Sequence, residues 1–145
     1  MWEEEEIADL IEMVKWHFFR DGFVAPVLIA FSKDPTVPNF VLDLDEFFTD
    51  PNKQAYLKSV LLDFIKIKKI FKLALIAEIT FPAERENERP KNIILVSLQE
   101  EGKPTIEWVA VIDKETRQIL SEELSSKVVN KDYVFFDYSW NQFHQ

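Results

Sequence analysis

Three carboxylates, Asp43, Asp45 and Glu78, are the side chains whose type and spacing come nearest to a metal site. Asp43 and Asp45 stand two apart in a segment that alternates apolar and polar residues, and residues two apart on a strand project from one face. Glu78 belongs to a second predicted strand. Were the two strands neighbours, the three groups would converge on Mg²⁺ or Mn²⁺, which favour oxygen ligands. Metal-dependent phosphoryl hydrolysis would then follow, because two close divalent ions stabilise both the attacking and the leaving oxygen. The same D-x-D pattern is also how an ordinary solvated strand face reads. Thr80, not a lysine, stands two residues beyond Glu78. A metal-dependent nuclease or phosphoesterase built on Asp43, Asp45 and Glu78 is thus the alternative reading, and no cofactor or metal is expected.

The remaining chemistry is sparse. The two histidines are His17, in a predicted helix, and His144, next to the last residue. Either titrates near neutral pH in principle, but a general base needs a nucleophile or acid within hydrogen-bond reach, and nothing in the sequence places one there. None of the serines sits in a G-x-S-x-G setting. The chain has two glycines, Gly22 and Gly102, so the closely spaced glycines of phosphate-binding loops are absent. It has no cysteine, which excludes disulfides, thiol catalysis and Cys-ligated metal.

Aromatic surface is the positive signal. Trp16 falls on the side of the first helix opposite its apolar stripe, with Phe19 on the same flank, and Met13 and Trp2 are candidates to join them. A helix with large apolar groups on a second face is covered by another layer or offered to a partner. The end of the chain, residues 132–145, carries Tyr138, Trp140 and Phe143 among six aromatics in its last thirteen residues. Read as a strand, it closes the core; read as an arm, it binds, since Trp and Tyr combine apolar area with a polar handle. Trp16, Phe19, Tyr138, Trp140 and Phe143 are the expected binding residues.

The elements that position these groups follow from periodicity. Ile7, Leu10, Ile11, Val14 and Phe18 recur at helical spacing over residues 3–21, glutamates fill the first turn, and Gly22 is a natural end. A strand is predicted over 23–31, starting at an edge or bulge because of Pro26, and a half-buried one over 39–46. Asp50-Pro51 reads as the start of a second helix. Leu57, Val60, Leu61, Phe64, Ile67 and Phe71 form its buried face. The strand predicted over 72–81 is apolar on both sides and is the candidate central strand. Strands over 92–99 and 105–112 flank the turn at Gly102, and a short one follows at 117–120. Residues 121–131 are too polar to assign.

The 145 residues suit one domain, with 47% hydrophobic content for a core. No apolar run is long enough for a membrane span, and the Met-Trp-Glu-Glu-Glu-Glu opening is unlike a signal peptide. The net charge of −9 is concentrated in residues 1–50, while residues 51–100 are net positive. This reads first as ordinary solvated surface charge; the alternative is that the basic middle packs on the acidic first third, with Lys66, Lys68, Lys69 and Lys72 in reach of carboxylates. So acidic a chain is not expected to bind nucleic acid. The sequence reads as a single α+β domain, with a mainly antiparallel sheet of five to seven strands and two helices on one face, in the order α-β-β-α-β-β-β-β. The expected function is that of a small cytoplasmic, non-enzymatic interaction protein that binds a protein partner or itself.

Overall fold

The computed structural model describes residues 2–127. The aromatic segment over 132–145, with Tyr138, Trp140 and Phe143, and also His144, lies outside the described residues.

Helix α1 spans Glu4–Asp21. Its entry is fixed by Glu6, whose Oε1 accepts a hydrogen bond from the Glu3 N–H at 3.3 Å, and Glu4, Glu5 and Glu6 complement the positive end of the helix dipole. Its end is Gly22, at φ 79°, whose N–H donates to the Phe18 carbonyl at 2.8 Å. That left-handed backbone suits glycine. A Cβ there would also meet Arg117 Nε at 3.0 Å. Arg117 Nη1 in turn donates to the Arg20 carbonyl at 2.6 Å, satisfying another carbonyl of the last turn.

Strand β1 is Val27–Ser32 and β2 is Phe40–Asp43. One-turn helix α2 (Asp45–Thr49) and helix α3 (Gln54–Ile67) follow. Then come β3 (Ile70–Phe81), β4 (Lys91–Glu100), β5 (Thr105–Asp113) and β6 (Gln118–Lys127). Every neighbouring pair is antiparallel, in the order β2-β1-β3-β4-β5-β6. The α+β class, the antiparallel sheet and the element order stand as read from the sequence.

The helices divide between the two faces of the sheet rather than sharing one. Ile7, Val14 and Phe18 of α1 pack with Ala74 and Ile76 of β3, Ile94, Val96 and Leu98 of β4, and Trp108 and Ala110 of β5. Leu61 and Ile65 of α3 pack with Leu28 and Ala30 of β1 and Leu73 and Leu75 of β3. Successive residues of β3 thus feed opposite cores, which is why both of its sides are apolar. Each side chain as fully buried as Phe18 contributes about 1.5–3 kcal/mol by leaving water.

Boundaries moved where polar side chains bond to their own backbone. The strand expected over 39–46 stops at Asp43, because Asp43 Oδ1 accepts the Asp45 N–H at 2.9 Å and turns the chain into α2. The helix expected from Pro51 starts at Gln54, since Asp50 Oδ1 accepts the Asn52 N–H at 3.1 Å in a second such turn. The last described strand is longer than expected, reaching Lys127. Its residues pair with β5 from Gln118↔Asp113 to Lys127↔Thr105, and a ladder overrides polar composition.

Candidate functional site

The three carboxylates do not come together. Asp43 and Glu78 both project from the α1 face, but β1 lies between their strands, with Val27 opposite both Asp43 and Ile76. Two strand spacings across and two residues along put their Cα atoms roughly 12 Å apart, too far to share one ion. Asp45 has left the strand for α2. Glu78 is otherwise engaged: its Oε2 pairs with Lys114 Nζ at 2.6 Å, and its Oε1 accepts the Val24 N–H at 3.3 Å. It ties the segment after α1 to the β5–β6 turn. Among the described residues no three His, Asp or Glu side chains gather as metal ligands would.

His17 is half-exposed on α1. It stands edge-on to Trp16 at 5.1 Å between centroids, and its Nδ1 lies 3.9 Å from Asp21 Oδ2 and 3.3 Å from Arg20 Nη2. It belongs to a surface cluster at the end of the helix. In that cluster the Arg20 guanidinium, doubly bonded to Asp21, holds the Asp21 carboxyl below its usual range.

Trp16 is the centre of the surface the sequence singled out. It is 56% exposed and points away from the sheet, with Phe19 at 48% and Met13 also exposed. Met13, Trp16 and Phe19 succeed one another at three-residue spacing and so are neighbours on the helix. The Arg20 guanidinium lies 4.3 Å from the Trp16 ring centroid, a cation–π contact that holds the indole against the helix. Phe19 also borders a shallow groove between α1 and β6, lined by Lys15, Arg117, Ile119 and Glu122. Lys15 Nζ bridges to Glu122 at 3.0 Å there.

Trp2 does not join this surface. It is buried against Phe31, edge-on at 5.6 Å, and its Nε1 donates to the Gln99 carbonyl at 3.3 Å. Lys72 Nζ sits 4.3 Å from the Trp2 centroid and 2.8 Å from Glu6 Oε2. Hydrogen bonding to Lys72 holds the Glu6 carboxyl below its ordinary value, against the opposing effect of burial. Of the four lysines in the basic middle, Lys72 makes a buried pair. Lys66, Lys68 and Lys69 are exposed.

Two features were not singled out from the sequence. One is a polar set on β4 and β5, facing away from α1: Ser97, Gln99, Thr105 and Glu107, all buried. Gln99 Nε2 donates to Ser97 Oγ at 3.2 Å, while Gln99 Oε1 has no hydrogen-bond partner among the described residues. The signal was S-x-Q opposite T-x-E on paired strands. The other is an apolar groove between β2 and α3.

Compared with known proteins, the chain matches no family model, no curated protein and no solved structure. Among the described residues no helix is long and apolar enough to cross a membrane.

Proposed function

We propose that this chain is a non-enzymatic interaction protein, and that the outer face of α1 is its binding surface. The observation carrying this reading is Trp16, more than half exposed and flanked by Met13 and Phe19, on a helix whose opposite side already fills a core. Large aromatic groups presented on a rigid element are what the energetic centres of protein interfaces are made of. Arg20, stacked on the indole, adds a charged group of the kind enriched at such centres. The partner is another protein or a second copy of the chain, met in the cytoplasm. The segment bearing Tyr138, Trp140 and Phe143 remains part of the proposal on sequence grounds.

The test is the double substitution Trp16→Ser with Phe19→Ser. Both side chains stand outside the cores, so the variant is expected to melt within a few degrees of the parent. Sedimentation velocity over a concentration series reads self-association, and binding of a labelled chain to partners isolated with it reads hetero-association. Loss of either with the fold intact supports the reading. Unfolding of the variant, or association unchanged by it, defeats it.

A further inference from the structure

Among the described residues, strand β2 ends the sheet on its side. The Leu44 N–H donates to the Pro26 carbonyl at 3.0 Å, and Leu28 stands opposite Leu42 and Ala30 opposite Phe40. In an antiparallel ladder the bonded pairs alternate, so Phe40 and Leu42 turn their backbone groups toward β1 and those of Val41 and Asp43 point outward. Val41 is 69% exposed. An outward row of N–H and C=O groups on an edge strand is a template for another strand.

Beside this edge, between the end of β2 and α3, lies a groove of about 540 Å³. Leu42, Leu57, Val60 and Phe64 line it, and Asp43, Asp45 and Glu46 border it. Phe40 continues the apolar surface toward Phe64, ring against ring at 5.0 Å. The two halves of the site match a single kind of ligand. An extended chain pairing with Val41 and Asp43 would alternate its side chains, one set facing the groove and the other facing the side of the sheet that bears Val41 and Asp43.

We propose that the β2 edge and this groove form a docking site for an extended segment of another protein, apolar on one face and basic on the other. Charge selects the occupant. Three carboxylates border the site, within a first fifty residues that carry all of the net −9, so lysines or arginines on the incoming strand are attracted and acidic ones repelled. A second copy of β2 brings its own Asp43, Asp45 and Glu46 to the contact, which sets like charge against like. The site is separate from the α1 surface and stands without it.

The probe is a fluorescein-labelled eight-residue peptide alternating leucine and lysine, titrated against the full chain by anisotropy. Companion peptides carry serine for leucine, glutamate for lysine, or N-methyl groups on alternate backbone amides. The parent peptide is expected to bind saturably and to weaken with salt. At least tenfold weaker binding is expected for every companion peptide and for the Val41→Pro, Val60→Glu and Glu46→Lys chains. Proline at Val41 removes an outward N–H that the ladder does not use; if that chain fails to fold, the N-methylated peptide tests the same hydrogen bonds. No saturable binding overturns the proposal. Binding indifferent to N-methylation and to Val60→Glu reduces it to attraction by an acidic surface. A dimer of the chain abolished by Val41→Pro would replace the partner with a second copy and overturn it as well.

Discussion

Lys72 is a buried cation satisfied from two sides, by the Glu6 carboxylate at 2.8 Å and by the ring faces of Trp2 and Phe31 at 4.3 and 5.1 Å. Glu6→Gln leaves that charge short of its partner. Complete burial would make such a loss about 3–5 kcal/mol; with the Glu6 side chain 38% exposed, about 1–2 kcal/mol is expected by chemical denaturation. Because the folded carboxyl titrates below its ordinary value, its contribution is fully present above the unfolded pKa. It is lost as pH falls through the lowered folded value. Melts taken from pH 6 downward should show the parent losing stability below about pH 4.3, with a shallower fall in Glu6→Gln. Parallel curves would refute the linkage. Asp43 is bound to its own backbone rather than to a metal. Its side chain closes the turn into α2, so Asp43→Ala should cost about 0.5–1 kcal/mol, and Mn²⁺ should leave the parent's melting temperature unchanged. A rise with Mn²⁺ that Asp43→Asn abolishes would restore the metal reading.

Helix α3 ends without glycine. Lys69, just past its C-cap, stands at φ 53°, a left-handed backbone that costs a side-chain-bearing residue about 1–2 kcal/mol. Its carbonyl accepts the Lys33 N–H at 2.9 Å, so the conformation is needed but the side chain is not. Lys69→Gly should raise stability by about 0.5–1 kcal/mol once the greater unfolded freedom of glycine is subtracted. A destabilised variant would mean that the lysine makes an interaction worth more than the strain. The same region shows how far elements were legible. The change from helical to alternating period near Lys69 is visible because β3 reads Leu73, Leu75 against Ala74, Ile76. Where α3 begins was hidden, because Asp50 and Pro51 suit a helix start and the turn closed by Asp50 onto Asn52 suits them equally. Local signals of that kind are degenerate, and the packing of Leu61 and Ile65 decides between them.

On the scale of the whole molecule, a sheet with a helix on each face leaves each helix one inner and one outer side. The apolar residues on both sides of β3 carried this information in the sequence, since a strand buried on both faces needs a cover on both. Two helices on one face would leave the other apolar side of β3 without a helix to cover it. The candidate metal site failed for a related reason: strand neighbours are set by the whole sheet, and the interposition of β1 between Asp43 and Glu78 is written in neither segment. The aromatic surface was legible because a single helix encodes it. Phe18 and Trp16 are two residues apart on α1, yet one is fully buried between the helix and the sheet and the other faces outward. Phe18→Ala should therefore cost about 3–5 kcal/mol, the range for emptying an aromatic site in a packed core. Trp16→Ala should stay within about 0.5 kcal/mol, as surface substitutions do. Urea titrations of the two chains measure the contrast. Equal losses would mean that the outer face of α1 is covered within the molecule, and the binding surface proposed for it would have to be given up. A large loss at Phe18 alone leaves Trp16 free of any duty to the fold, and its exposure then needs an explanation outside the chain's own core.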